Sequence, residues 1–164
     1  MSWIDDRAHL RREQYRDARN LNARVRLHAL YSTNVYGWFP WVMDHIDLPP
    51  CCSILELGCG SGDLWRANAA RIPQGWRITL SDFSPGMLAQ TRQNLAPLSR
   101  PFQWAVIDAA AIPLADGAVD AVIANHMLYH VPHRPQALSE IRRVLKPGGR
   151  LFASTIGQAH LREL

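Results

Sequence analysis

Three glycines at alternating positions, Gly58, Gly60 and Gly62, follow the run Ile54-Leu55-Glu56-Leu57. Peptide bare of side chains at the carboxyl end of a strand lets a nucleotide-like ligand approach the backbone of an open α/β sheet. Asp82 ends the next apparent strand, where a carboxylate can accept hydrogen bonds from ribose hydroxyls. Further on, His126, His130 and His133 crowd the end of a later apolar run. A histidine there can take a proton near neutral pH; it can equally orient a helix or bond a backbone carbonyl. His126 and His130 are four apart, a spacing that suits zinc on a helix. Pro132 breaks any helix there and no cysteine or acid lies near in sequence, so no metal is expected.

Charge separates two nucleotide readings. A dinucleotide fingerprint, G-x-G-x-x-G, uses its third glycine for close helix packing and seats a pyrophosphate at the helix N-terminus. That third position is Asp63 here, and Glu56 adds a second negative charge at the same strand end. Acids repel a pyrophosphate and suit a ligand that carries positive charge. S-adenosylmethionine has a sulfonium, an ammonium, one carboxylate and no phosphate. The N–H groups of the loop can serve its carboxylate, and acids its ammonium, directly or through water. An NAD(P)-dependent oxidoreductase stands as the alternative, since it shares the strand, the glycines and Asp82.

These residues must be positioned by alternating strands and helices. Strands are predicted at 52–57, 76–81, 102–107, 119–124 and 151–155. Helices are predicted at 63–72, from Pro85 with Ser84 as its cap, and along Leu138, Ile141 and Leu145, ended by Pro147-Gly148-Gly149. Leu88, Thr91 and Leu95 share one face of the second helix. Such alternation implies a parallel sheet with right-handed crossovers. Residues from about Ile4 to Ile46 read as helices, with Leu21, Val25 and His28 at one-face spacing, an interruption at 34–37, and a close at Pro49-Pro50. Tyr36, Trp38, Phe39, Trp41 and Val42 then have two readings, a helix packed on the core or a lid whose aromatics wall a pocket, and both can hold for different residues of one helix.

Glu56-Leu57-Gly58-Cys59-Gly60-Ser61-Gly62 resembles the first motif of class I S-adenosylmethionine-dependent methyltransferases. The likeness extends through 81–88, 107–114, 116–125 and 138–152, five elements in the family's order. The small-molecule branch of the ubiquinone/menaquinone type is the nearest match. The resemblance implies an α/β, Rossmann-like methyltransferase fold, a parallel sheet of five strands in the order 3-2-1-4-5 with helices on both faces. It implies a helical lid over residues 1–48 and a cofactor-binding core over 49–164. It makes S-adenosyl-L-methionine the cofactor, S-adenosylhomocysteine the product and a small molecule the methyl acceptor. Glu56 and the loop residues Gly58, Cys59, Gly60 and Gly62 then face the cofactor. Asp82 holds ribose, with Phe83 and Met87 flanking adenine. Asp108 accepts from the adenine amino group, Ala109 offers its N–H, and Asn125 meets the cofactor by its amide or carbonyl. His130 or His126 is cast as the base, and Tyr15, Tyr31 and Tyr36 as pocket residues. Other roles stay open: Asp82 as a helix cap, Asp108 as a turn residue, Phe83 and Met87 as packing. The family's sheet normally adds two more strands, and the chain ends about nine residues after its fifth. The expectation is a fold truncated before those strands, its strand-five edge covered by the terminal helix, a homo-oligomer or a second chain. A non-catalytic S-adenosylmethionine-binding module is therefore a further alternative.

Composition narrows the setting. The 164 residues suffice for one modest domain. Net charge is +4, but the seven arginines between Arg7 and Arg26 alternate with acids, which reads as a solvated helix face and not as nucleic-acid binding. Three cysteines, two of them adjacent, form no disulfide framework. No apolar stretch is long enough to cross a bilayer and the start lacks a secretory layout, so a cytoplasmic protein without membrane contact is expected.

Overall fold

A computed structural model describes residues 25–26 and 30–157. Helix α1 (Trp38–Asp44) leads into β1 (Cys51–Leu57), α2 (Asp63–Ala67), β2 (Gly75–Asp82), α3 (Pro85–Leu95), β3 (Gln103–Val106), β4 (Val119–Asn125), α4 (Arg134–Val144) and β5 (Leu145–Ser154). The five strands form one sheet in the order β3-β2-β1-β4-β5, every pair parallel. This is the predicted Rossmann-like order. It reverses direction of growth beside β1, so the carboxyl ends of β1, β2 and β4 open onto one crevice.

Alternation along β1 decides what each face holds. Cys52 and Ile54 join Val42, Met43 and Ile46 around α1, with Leu64 and Trp65 of α2. Leu55 and Leu57 point to the opposite face, against Ala137, Ile141 and Val144 of α4. Strands buried on both faces read as continuous apolar runs, which is why β1 and β4 were legible. Glu56 shares the parity of Ile54 and so lies on the α1/α2 face.

Two elements differ from expectation. The helix predicted over 63–72 is α2 plus a 3-10 turn, Ala69–Arg71. Asn68 divides them, because its side-chain amide donates to the Leu64 carbonyl at 2.8 Å and to the Phe39 carbonyl at 3.0 Å. An asparagine that bonds nearby backbone competes with helix continuation. The face of α4 is Ala137, Ile141 and Val144, whereas Leu138 is 46% exposed and Leu145 already begins β5. Pairing runs from Val119–Leu145 to Ala121–Arg150, so Pro147-Gly148-Gly149 bulges out of the strand instead of merely stopping the helix. Ser84 caps α3 as predicted, its hydroxyl accepting from the Met87 N–H at 3.2 Å.

Candidate functional site

The glycine loop joins β1 to α2 and is laced to its neighbours. All three glycines have positive φ: 69° at Gly58, 56° at Gly60 and 78° at Gly62. At Gly62 a methyl group would also stand 2.8 Å from Cγ2 of Thr91, so only glycine fits. The Cys59 N–H donates to the Ser81 carbonyl at 2.8 Å and the Gly62 N–H to the Cys59 carbonyl at 3.0 Å. Asn94 Nδ2 donates to the Ser61 carbonyl at 2.9 Å, and the Thr91 hydroxyl donates to the Gly60 carbonyl. Cys59 turns its thiol inward to Thr91, and burial pushes that thiol well above its usual range.

Asp82 closes the loop from β2. Its Oδ2 accepts the Gly60 N–H at 3.2 Å and its Oδ1 the Ser84 N–H at 2.9 Å. Burial raises its pKa to about 6, against the pull of those backbone donors. The capping alternative thus holds in part, since one oxygen serves the start of α3 while the other reaches the glycines. Glu56 is 3% exposed and accepts the Trp65 indole N–H at 2.6 Å. Burial lifts it to about 7, with the Trp65 bond opposing and the Asp82 charge adding to the rise.

Asp63 departs from the sequence argument. Its carboxylate accepts from the Ser61 hydroxyl at 2.5 Å and pairs with the Arg66 guanidinium at 2.6 Å. Its charge is neutralised within its own turn, so it adds no second negative wall. The spacing of Asp63 and Arg66, three apart on a helix, carried that signal.

The rim beyond β3 holds Asp108 and Ala109. Asp108 Oδ1 accepts the Ala110 N–H at 3.0 Å, so Asp108 does serve as a turn residue. Ala109 is buried. The rim is gripped by α4. Glu140 accepts the Ile112 N–H at 2.8 Å, Gln136 donates to the Ala110 carbonyl at 2.8 Å, and Arg143 donates to the carbonyls of Ile112 at 2.8 Å and Leu114 at 2.7 Å. Met87 is buried in the core, as its packing alternative requires, while Phe83 is half-buried beside Asp82.

Across the crevice, Ser154 ties β5 to the end of β4. Its hydroxyl donates to Asn125 Oδ1 at 3.0 Å, and its carbonyl accepts the His126 N–H at 3.1 Å. His126 has φ 50° and is the single non-glycine residue with positive φ among those described. Its ring meets Trp38 of α1 at 5.0 Å and Tyr129 at 6.4 Å, and Tyr129 meets His130 at 4.4 Å. The next residue, Met127, abuts Gly58, where an added Cβ would lie 2.8 Å from its Cβ. His133 is exposed and stands at the N-cap of α4. Among the described residues, no three His, Cys, Asp or Glu side chains gather as a metal would need.

Helix α1 divides its side chains as the two readings allowed. Val42 and Met43 are buried in the core, while Trp38 and Trp41 stack at 5.2 Å on the exposed side. Arg71 pairs with Asp44, and Tyr36 donates to Asp44 at 2.5 Å. Tyr31 is exposed, and Tyr15, Leu21, His28 and all the N-terminal arginines except Arg26 lie outside the described residues, as does the chain after Gly157. No helix among the described residues is long and apolar enough to cross a membrane.

Glu56, Gly58, Gly60, Asp82, Asn125 and His126 are thus gathered at one sheet edge. Sequence reasoning missed Trp65, Thr91, Asn94 and Ser154, which position these residues and their loop, and Arg143, which holds the Asp108 rim. Thr91 gave a signal, being a polar residue in the apolar row of α3.

Residues 55–153 match the family described as Methyltransferase domain. A ubiquinone/menaquinone biosynthesis C-methyltransferase UbiE of Bordetella avium is 34% identical over 115 residues, 70% of this chain and 45% of that one. A malonyl-[acyl-carrier protein] O-methyltransferase of Methylococcus capsulatus is 39% identical over 116 residues, 71% of this chain and 42% of that one. The crystal structure of a SAM-dependent methyltransferase from Methanosarcina mazei superposes with a TM-score of 0.62 at 25% identity, covering 74% of this chain and 60% of that one. The chain spans less than half the length of these two curated relatives.

Proposed function

This chain belongs to the methyltransferase-domain family, and from that membership we propose that it binds S-adenosyl-L-methionine and transfers a methyl group to a small-molecule acceptor. The observation that carries the reading is the closure of Asp82 on the glycine loop, which sets a carboxylate and side-chain-free peptide at one sheet edge. The residues suit the cofactor. Gly58, Gly60, Gly62 and the Cys59 backbone leave room for its methionine end, and Glu56 lies beneath as the negative partner for its positive charge. Asp82 accepts from the ribose hydroxyls. Phe83 flanks adenine while Met87 packs beneath it in the core, and Asp108, Ala109 and Asn125 read its edge and the adjoining chain.

When bound, the cofactor supplies a methyl carbon activated by a sulfonium. The chain's own residues bind and orient it and exclude water, which is most of what such a transfer asks of a protein. Asn125, fixed through Ser154, keeps the end of β4 in place. His126 or His130 removes a proton where the acceptor carries one. Residues 1–48 act as a lid, a role supported by the Trp38–His126 contact of α1. The edge of β5, unpaired among the described residues, is covered by the terminal helix, a second copy or a second chain, because unpaired strand edges invite pairing.

Calorimetric titration with S-adenosylmethionine, S-adenosylhomocysteine and NAD tests the reading. Binding of both sulfur nucleosides and not of NAD is expected. Binding of NAD alone would overturn it, and cofactor binding without methyl transfer to any acceptor in a cell extract would leave a binding module.

A further inference from the structure

Trp65 lies outside every motif in the sequence, whereas its partner Glu56 opens the first of them, and the placement of the pair is unusual. Parity along β1 sends Glu56 into the apolar face that holds Ile54, Ile78 and Leu80. A carboxylate there is costly unless a donor answers it. The donor comes from α2. Trp65 is 0% exposed, its ring is wedged near Phe102 at 6.2 Å, and its Nε1–H points at Glu56 Oε2 over 2.6 Å. An indole can donate but cannot accept. It therefore bonds the ionised carboxylate without competing for it, and it has no means of rewarding the proton.

We infer that Trp65 is a positioning residue, whose buried indole N–H aims the Glu56 carboxylate at the underside of the glycine loop and keeps it ionised for a positively charged ligand. This rests on the proposed binding of S-adenosylmethionine, and it names the device by which this chain holds charge under that ligand. The other titratable groups at this strand end are Asp82 on β2, Cys59 in the loop, His126 beyond β4 and Asp63 on α2, the last already paired with Arg66. Glu56 is thus the acid whose ionisation Trp65 controls.

The consequence is a pH profile. Affinity for the cationic ligand rises as Glu56 loses its proton, then levels off. Trp65→Phe keeps the ring and deletes the donor. It should move the midpoint of that profile upward by about one pH unit, the size expected for one lost hydrogen bond to a charged group. Affinity above the new midpoint should return to within about threefold of wild type. Calorimetry with S-adenosylmethionine between pH 5.5 and 8 reads this for wild type, Trp65→Phe and Glu56→Gln. Glu56→Gln should remove the limb near pH 7, leaving only the one that Asp82 gives near pH 6. An unchanged midpoint in Trp65→Phe, with affinity lowered equally at every pH, would reduce Trp65 to packing and overturn the inference. Failure of wild type to bind at any pH would instead overturn the function itself. Should Trp65→Phe not fold, the wild-type indole N–H resonances decide. One of them should titrate with the binding midpoint and stop titrating in Glu56→Gln, and the absence of any such resonance would count against the pair.

Discussion

Asp82 Oδ2 accepts the Gly60 N–H at 3.2 Å while its Oδ1 holds the Ser84 N–H at 2.9 Å, so one carboxylate joins the glycine loop, the end of β2 and the start of α3. Asp82→Ala removes the proposed ribose partner and loosens the loop together. It should weaken S-adenosylhomocysteine by about tenfold or more, the scale of a lost charge-assisted bond. His130→Ala should leave that affinity within about twofold, since His130 packs on Tyr129 and its proposed role concerns the acceptor. Comparable losses in calorimetry would contradict the assignment.

Glu56 and Asp82 both bind their protons more tightly in the folded chain, with pKa values raised to about 7 and about 6 by burial. The sign follows from linkage. A raised acid contributes stability below its ordinary value and loses it as pH rises through the folded value. For Glu56 the window runs from 4.5 to about 7, and the loss is on the order of 3 kcal/mol. Ligand-free Glu56→Gln should therefore gain on wild type as pH climbs from 5 to 8, read by urea unfolding at each pH. A constant difference between the two would refute it.

Gly62→Ala forces a side chain into a backbone with φ 78° and against Thr91 at 2.8 Å. Destabilisation of about 2 kcal/mol or more is expected in denaturant unfolding. A shift under about 0.5 kcal/mol would mean that the loop and α3 separate easily.

Trp38 and Val42 lie on one helix with opposite duties. Trp38 is 39% exposed and touches His126, whereas Val42 is 6% exposed in the core. Trp38→Ala should raise the acceptor KM while changing stability by less than about 0.5 kcal/mol. Val42→Ala should do the reverse, costing about 1–3 kcal/mol with little effect on KM. Thermal unfolding and steady-state kinetics separate the two.

Local pattern made the sheet legible. The apolar runs at β1 and β4, the glycines after β1 and the Ser84-Pro85 cap each reflect chemistry contained within a few residues. What escaped depends on contacts distant in sequence. Trp65 looks like one more apolar helix residue until α2 is laid over β1. Ser154 is an ordinary serine until β5 pairs with β4 and carries it to Asn125, 29 positions away. Asp63 misled for the opposite reason: Arg66, its neutralising partner, was local, and helical spacing already placed the two together.

Arg143 stands on the face of the sheet opposite Glu56, yet it grips the carbonyls of Ile112 and Leu114 and pairs with Glu140 and Asp116. The outline of the Asp108 rim is consequently moulded from the rear, by a flat forked cation that no single ammonium can imitate. A substitution with no view of the crevice can therefore redraw its doorway, and selectivity in this chain is open to change from behind.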